Sequence, residues 1–346
     1  MSDIQFGIDT FGDVPEDDHG NLLSPAQAIR QVVDEAVLAD QVGIDVIALG
    51  EHHRPEYAIS SPETVLAGIA TRTENITLAS GVTVLSSDDP VRVHQRFATV
   101  DALSNGRAQV ILGRGSFTES FPLFGHDLAD YDRLFEEKLE LFVQLLDEKP
   151  VTWNGTTRAA LENADVHPKT ESGRLDTWVG VGGSPESVVR TARHGLPLML
   201  AVIGGSPSRF APYVELYRRA TAQLGTTAHP VGLHSPGFVA DTDEEAAKIV
   251  WPRFKVLRDR IGRDRGWPPV SHAEFEREIA HGSMYLGSPE TVAQRIAGAL
   301  RQIDVGRFDM IYTQGSIPAA ARMRSVELFG TQVIPRVREL LAEDAS

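Results

Sequence analysis

Short apolar segments alternate with amphipathic segments along almost the whole chain of 346 residues. Parallel strands need a long crossover between them, so a repeated strand and helix unit predicts a parallel sheet. Eight such units favour a (β/α)8 barrel, and a doubly wound open sheet is the alternative. The predicted strands cover residues 4–8, 46–49, 76–84, 109–112, 178–181, 198–203, 231–239 and 308–312.

Two stretches interrupt this alternation. Residues 149–176 are polar and poorly periodic, and residues 258–284 are rich in Arg, Gly and Pro. We interpret the first as an excursion from the barrel and the second as a surface loop or lid. A barrel of about 250 residues with two insertions accounts for the length. The sequence therefore predicts a single domain over residues 1–346.

The charge balance narrows the range of partners. Asp and Glu total 48 against 33 Lys and Arg, and the formal net charge of -15 would repel nucleic acids and anionic membranes. The chain has no Cys, so thiolate catalysis and sulfur-ligated zinc are excluded. The first basic residue is Arg30, and the best apolar run, 196–203, is far shorter than a membrane span. We therefore expect a cytoplasmic protein with a small-molecule substrate.

One pattern occurs twice, as Gly-Ser-Pro-Glu-Ser-Val at 183–188 and as Gly-Ser-Pro-Glu-Thr-Val at 287–292. Ser as N-cap, Pro in the first turn and Glu near the positive helix end predict a helix start in both places. Glycines before the first copy clear side chains from the helix N-terminus, so we predict that this copy binds a phosphate. For the second copy we predict helix capping alone. The predicted phosphate site consists of Gly182, Gly183, Ser184 and Ser187.

Glu51, His52 and His53 follow the second predicted strand, at the barrel end where active sites collect. Alternation along the strand predicts that His52 points into the barrel mouth and that His53 faces the helix layer or a loop. A pair of surface histidines or a hydrogen-bonded network is the structural alternative. A metal site that joins Glu51 or His53 to Asp88 or Asp89 is also open, although the sequence shows no clear third ligand.

Glycines mark two further strands. Gly81-Val82 lies in the third predicted strand, where a glycine usually marks a bulge or the close approach of a ligand or another backbone. Gly113-Arg114-Gly115 ends the fourth strand and places a cation beside backbone that a ligand can approach closely. A packing glycine and a plain turn are the alternatives, because short glycine turns are weak evidence alone.

Taken together, these segments resemble the bacterial luciferase-like flavin monooxygenases over nearly the whole chain. The order and spacing of the segments carry the resemblance. They are Glu51-His52-His53, Asp89-Pro90-Val91-Arg92, Leu103 to Arg107, Gly113-Arg114-Gly115, Gly195 to Pro197, Gly287 to Glu290 and Val333-Ile334-Pro335. The resemblance implies a (β/α)8 barrel with insertions that uses reduced FMN or, as in some members, the deazaflavin F420.

The resemblance also implies roles for individual residues. His52 matches the histidine that assists chemistry beside the flavin, and Arg114 matches the arginine that binds its phosphate. The Gly81-Val82 bond matches a non-prolyl cis peptide behind the isoalloxazine ring. This chain departs from the luciferases proper at Asp88-Asp89, at Gly113, where they carry Cys, and at Gly183, where they carry an acidic residue, so we expect neither light emission nor an aldehyde substrate. The rest of the phosphate site is matched by Gly183, Ser184 and Ser187.

The predicted function is therefore a monooxygenase that uses reduced FMN and O2 on a small organic substrate. His52 is expected to transfer protons, because an imidazole titrates near neutral pH. The chain shows no nicotinamide-binding fingerprint, so reduced flavin would come from a separate reductase, and the resemblance implies a homo-oligomer. One alternative is an F420-dependent dehydrogenase on the same fold. The other is a metal-dependent barrel hydrolase that uses Glu51, His53 and Asp88.

Overall fold

The computed structural model describes residues 4–343, which form a closed barrel of eight parallel strands. The strands pair in chain order and the last pairs with the first, which confirms the (β/α)8 fold and excludes the open sheet. The predicted domain also includes residues 1–3 and 344–346, which lie outside the described residues. The barrel strands are β1 (Gln5–Thr10), β2 (Val46–Leu49), β3 (Thr77–Ser80), β4 (Ala108–Gly113), β5 (Asp176–Val181), β6 (Leu198–Ala201), β7 (Val231–Val239) and β8 (Arg307–Ile311).

Amphipathic helices follow the strands and cover the outside of the barrel. The first begins with a capping box of Ser24 and Gln27 around Pro25. The barrel helices are α1 (Pro25–Gln41), α2 (Pro62–Ala70), α3 (Pro90–Ser104), α4 (Tyr131–Leu145), α5 (Pro185–Arg193), α6 (Ala211–Leu224), α7 (Pro289–Gln302) and α8 (Ala319–Leu328). A π-helical turn, Phe329–Val333, joins α8 to α9 (Ile334–Glu343). Within residues 4–343, no helix has the length and apolar character needed to cross a membrane.

A polar layer fills the barrel interior at the amino ends of the strands. Arg307 is fully buried at the start of β8 and donates to both carboxylate oxygens of Asp309, at 2.8 and 2.6 Å. It also donates to Gln109 Oε1 at 2.5 Å, and its guanidinium carbon lies 5.2 Å from the centroid of the Trp178 ring. These buried charges are paired, as burial requires. The layer blocks this end of the barrel.

The first insertion, 149–176, contains an antiparallel hairpin that its polar sequence does not reveal. The hairpin consists of Val151–Trp153 and Leu161–Ala164. Val151 and Trp153 pack against Leu141 and Leu145 of α4, so the hairpin is attached to the outside of the barrel.

The second insertion is largely helical, so the prediction of an irregular surface loop over 258–284 is wrong. A helix over Asp243–Arg265 and a shorter one over His272–His281 occupy most of it. Thr242 and Ser271 accept backbone N–H groups at their N-termini, which is the local reason that both helices form. A short strand after them, Tyr285–Gly287, pairs with β7.

We call Asp243–Arg265 the mouth helix, because several of its side chains line the cavity at the carboxyl ends of the strands. Asp264 at its C-terminal end accepts from Arg54 Nη2 at 2.6 Å, which ties the helix to the loop after β2. The sequence signal was weak because Pro252 and Gly262 both lie inside the helix, where these residues are unfavourable.

Candidate functional site

A cavity of about 720 Å³ lies at the carboxyl ends of the barrel strands, where (β/α)8 enzymes carry their active sites. Loops that follow the strands line one part of it, and the mouth helix and His272–His281 line the other. Four predicted site residues line it, namely His52, Gly81, Val82 and Gly182. The other predicted site residues are Arg114, Gly183, Ser184 and Ser187, and they lie just beyond the lining residues Gly115 and Gly182.

The structure places His52 inside this cavity among three aromatic rings, as the strand pattern predicts. Its ring centroid lies 4.7 Å from that of Phe11, 4.6 Å from that of Tyr57 and 4.8 Å from that of Phe117. Burial lowers the pKa of His52 to about 3, and neighbouring positive side chains act in the same direction. The expectation that His52 titrates near neutral pH is therefore wrong, because this imidazole is neutral at physiological pH.

Glu51 and His53 form a pair in the same cavity. His53 Nε2 lies 2.9 Å from Glu51 Oε1, and Glu51 Oε2 accepts the Val84 N–H at 2.9 Å. Both side chains line the cavity, so the prediction that His53 faces the helix layer or a loop is wrong. Strand alternation fails here because β2 ends at Leu49, and the residues after it are no longer extended in a sheet.

The residues of the predicted metal site are engaged elsewhere. Asp88 pairs with Arg96, and Asp89 caps α3 by accepting two backbone N–H groups of its first turn. Across the described residues 4–343, no three His, Asp or Glu side chains are grouped to hold a metal ion. The hydrolase alternative therefore has no metal centre in this part of the chain.

The peptide bond between Gly81 and Val82 is cis, which confirms what the resemblance implies. It divides the predicted strand 76–84 into β3 and the short strand Thr83–Val84. A Cβ at Gly81 would lie 2.1 Å from Asp9 Oδ2, so a side chain cannot fit here. The glycine thus permits the close approach of a buried carboxylate to the backbone at the cavity wall.

Arg114 follows β4 and is partly exposed beside the cavity. Its Nη1 donates to Asp132 Oδ1 at 2.8 Å, and its guanidinium carbon lies 5.3 Å from the centroid of the Tyr131 ring. The Asp132 side chain is 75% exposed, so its carboxylate can leave Arg114 at little cost. The guanidinium lies over the Tyr131 ring, and the N–H donors of Arg114 are accessible to another anion.

The N-terminus of α5 lies beside this cation. Ser184 caps the helix by accepting the Ser187 N–H at 3.3 Å, and its own hydroxyl donates to Glu186 Oε2 at 2.7 Å. The pKa of the Glu186 carboxyl is lowered, first by this hydrogen bond and also by the positive charge of Arg114. The structure therefore brings Arg114 and the predicted helix start close enough to act on one carboxylate.

Backbone in front of α5 is open, and two side chains that the sequence analysis missed hold it in place. A Cβ at Gly182 would meet no described atom within 4 Å, and Gly183 has a φ of 105°, which favours glycine. The Tyr213 hydroxyl donates to the Gly183 carbonyl at 2.7 Å. Arg190 Nη1 donates to Ser187 Oγ at 3.2 Å. Arg190 could have been found, because residues three apart share a helix face.

A buried pair of ionisable side chains was also missed. His234 on β7 lines the cavity, and its Nε2 lies 3.4 Å from Oδ2 of Asp9 on β1. Asp9 is 1% exposed and does not line the cavity. His234 lies within the predicted strand 231–239 and Asp9 directly follows the predicted strand 4–8, where a polar side chain that points inward was the only signal available.

A family model described as luciferase-like monooxygenase matches residues 4–305. The chain belongs to this family. Among its luciferase-like relatives is limonene 1,2-monooxygenase from Rhodococcus erythropolis, which is 28% identical over 345 residues, with 94% of this chain and 87% of the relative covered.

Solved structures agree with the luciferase-like fold. The oxygenating constituent of 3,6-diketocamphane monooxygenase from Pseudomonas putida, in complex with FMN, has a TM-score of 0.76 and 20% identity, with 96% of this chain and 99% of that chain covered. The coenzyme F420-dependent tetrahydromethanopterin reductase from Methanopyrus kandleri has a TM-score of 0.73 and 19% identity, with 97% and 100% covered. The luciferase-like barrel is thus shared by enzymes of both cofactor classes.

Proposed function

We propose that the protein is a monooxygenase that uses reduced FMN and O2 to oxygenate a small organic substrate. One observation carries the proposal: Arg114 and the open N-terminus of α5 lie at the edge of the same cavity that holds His52 and the Gly81–Val82 segment. An anion site at the edge and an aromatic-lined chamber beside it match the two ends of FMN, a phosphate and a flat ring.

The residues at the cavity edge fit a phosphate. Arg114, the Ser184 hydroxyl and the backbone at the start of α5 supply donors of the kind that helix N-termini offer to anions. Exposed carboxylates of Asp132 and Glu186 already contact Arg114 and Ser184, so these donors are accessible to a negative group. A charge-assisted hydrogen bond contributes roughly 1.5 to 3 kcal/mol. Bound reduced flavin would supply the chemistry that activates O2.

His52 is proposed to act beside the flavin ring as a neutral group. With a pKa of about 3 it is a neutral imidazole that can accept or donate a hydrogen bond, and it does not hold a positive charge at neutral pH. The rings of Phe11, Tyr57 and Phe117 surround it and keep water from its faces.

The outer part of the cavity supports an apolar substrate. Side chains from the loop after β6, the mouth helix and the segment that follows it form this part. They are Ile203, Phe254, Leu257, Ile261, Trp267 and Met284. The limonene relative is named for an apolar cyclic molecule, and we propose a substrate of similar character for this chain.

The proposal also covers the domain extent, the oligomeric state, the location and the source of reduced flavin. We propose one domain over residues 1–346, a homo-oligomer, a cytoplasmic location and a separate flavin reductase as the source of reduced FMN. The last of these rests on the sequence, which shows no nicotinamide-binding fingerprint.

The cofactor assignment is tested by anaerobic fluorescence titration of the purified protein with FMN and F420, each oxidised and reduced. We expect saturable binding of FMN in at least one redox state. Binding of F420 alone, with alcohol-dependent reduction of F420 without O2, would establish the dehydrogenase alternative. Binding of neither cofactor would contradict both.

The reaction type is tested with a flavin reductase, NADH, FMN and ¹⁸O2 in the presence of limonene and of a panel of cyclic ketones. We expect a product that contains one ¹⁸O atom, detected by mass spectrometry. A product that forms without incorporation of ¹⁸O, or at the same rate without O2, would rule out monooxygenation.

A further inference from the structure

The His234–Asp9 pair gives the cavity a charge that faces inward. His234 lines the cavity and Asp9 does not, so the imidazole lies between the carboxylate and any bound ligand. The two residues are held by neighbouring parts of the barrel, because β1 and β7 both pair with β8. Asp9 also lies against Gly81, since a Cβ there would meet its Oδ2. The pair therefore borders the segment proposed to support the flavin ring.

The charged groups around the pair decide its protonation. Arg307 and Asp309 face it from β8, and they form a bidentate ion pair with each other. Burial raises the pKa of Asp9. Burial opposes a charge on His234 as well, but the negative charge of Asp9 raises the pKa of His234. The pKa values of both groups are raised, so the pair favours a bound proton, and the negative charge of Asp9 favours its place on the imidazole.

The geometry also leaves hydrogen-bonding capacity unused. His234 Nε2 and Asp9 Oδ1 are buried, and neither has a hydrogen-bond partner among the described atoms. A carboxylate 3.4 Å from Nε2 orients the ring through that nitrogen. A protonated imidazole carries hydrogen on both ring nitrogens, so His234 has a second donor, Nδ1, besides the nitrogen that faces Asp9.

We propose that His234, oriented by Asp9, makes this site bind the reduced, anionic form of the flavin in preference to the oxidised form. The inference rests on the proposed function. Reduced FMN carries a negative charge on the pyrimidine part of its ring near neutral pH, whereas the oxidised ring is neutral. A positive group near the ring is one way in which a protein tunes a flavin. Such a preference suits an enzyme that takes up reduced flavin from a reductase and releases it oxidised.

The preference is measured as the ratio of the dissociation constants of oxidised and reduced FMN, under anaerobic conditions. We expect His234→Gln to lower this ratio at least tenfold, which corresponds to a fall of about 30 mV in the two-electron midpoint potential of bound FMN. His19→Gln is the control, because it removes an exposed histidine that does not line the cavity. Its ratio should stay within about twofold of the wild-type value.

Two further measurements do not depend on His234→Gln folding correctly. Asp9→Asn should also lower the ratio, because it removes the anion that keeps His234 protonated. In the wild-type protein, the difference in midpoint potential between bound and free FMN should shrink as the pH rises through the pKa of His234. NMR titration of the imidazole without flavin should place that pKa above the ordinary 6.5.

The outcomes distinguish failure of this inference from failure of the proposed function. Equal binding of both redox states by the wild-type protein, or a ratio that survives His234→Gln and Asp9→Asn, would overturn this inference and leave the monooxygenase proposal standing. Failure to bind FMN in either redox state would overturn both. Riboflavin should show the same ratio as FMN, because the phosphate takes no part in the discrimination.

Discussion

The two helices that begin with Gly-Ser-Pro-Glu have nearly the same local sequence and different surroundings. At the start of α7, the Ser288 N–H donates to Asp243 Oδ1 at 2.6 Å, and Thr291 Oγ1 donates to Asp243 Oδ2 at 3.0 Å. At the start of α5, the same positions lie beside Arg114 and the open backbone of Gly182. A carboxylate of the mouth helix contacts one helix start, and we propose that the other binds the ligand phosphate.

This difference shows how one local signal serves two purposes. A helix N-terminus carries partial positive charge and free N–H groups, so it needs an anion or a cap. The sequence predicts capping by Ser at α7. Within the described residues, however, the Ser288 side chain makes no capping hydrogen bond to the helix backbone, and the Asp243 carboxylate contacts the helix start through the Ser288 N–H and the Thr291 hydroxyl. The purpose of each helix start is therefore set by its tertiary neighbour.

The strongest test of the comparison is Arg114→Ala. We expect it to weaken FMN binding at least tenfold, because the phosphate loses a charge-assisted partner that contributes roughly 1.5 to 3 kcal/mol. Riboflavin lacks the phosphate, so its affinity should change less than about twofold. Fluorescence titration measures both ligands. Equal losses for FMN and riboflavin would remove the phosphate assignment from Arg114.

The contact between Asp243 and the start of α7 is tested by the substitution Asp243→Asn. We expect a loss of about 1 kcal/mol in the free energy of unfolding, because the start of α7 loses its anion. FMN affinity should not change. Partial burial favours the neutral carboxyl, but hydrogen bonds from Ser288 and Thr291 lower the pKa of Asp243 below its ordinary 3.8.

A lowered pKa in the folded state fixes the pH dependence of this effect. The stability that Asp243 contributes is present above pH 3.8 and is lost as the pH falls through the lower folded value. Urea unfolding at pH 7 should therefore separate Asp243→Asn from the wild type more clearly than unfolding at pH 3. A gap that widens in acid would contradict the assigned role.

Ser184→Ala and Ser288→Ala change the same position in the two copies. Ser184→Ala should reduce FMN affinity about fivefold, because it removes a hydroxyl from the phosphate site and an N-cap that contributes about 1 kcal/mol to the helix. Ser288→Ala should leave FMN affinity unchanged, because Asp243 still accepts the backbone N–H. Calorimetric titration of both variants makes the comparison. Similar losses of FMN affinity would show that the two copies are not different in function.

Much of the fold was predictable, because its signals are local. The bounds of β2 agree with the predicted 46–49, since an apolar run marks them directly. The mouth helix was missed because it packs across the barrel mouth instead of on the barrel wall, and Pro252 interrupts its pattern. Its caps were the only local evidence.

The candidate site shows the same contrast between local sequence signals and contacts with distant residues. Arg114, Ser184 and Gly81-Val82 belong to short segments whose glycines and caps are visible in the sequence. The pairing of His234 with Asp9 joins opposite ends of the chain, and no spacing pattern reports it. The neutral state of His52 arises from burial among rings of other segments. Sequence therefore identified residues, while burial and distant partners determined their charge.

The smallest expected effect concerns the glutamate that both copies share. Glu186 accepts from the Ser184 hydroxyl at 2.7 Å and lies in the field of Arg114, so it competes with a phosphate for the same donors. Glu186→Gln should therefore tighten FMN binding about twofold at low salt. The gain should fall at high ionic strength, because Glu186 is exposed and its charge is screened.

Glu290→Gln is the matched control, since Glu290 pairs with Arg336 beside the helix start that Asp243 contacts. FMN affinity should not respond to Glu290→Gln at any salt concentration. Weaker binding in Glu186→Gln would mean that this carboxylate supports the ligand instead of standing in its place, and the contrast between the two helix starts would then rest on Arg114 alone.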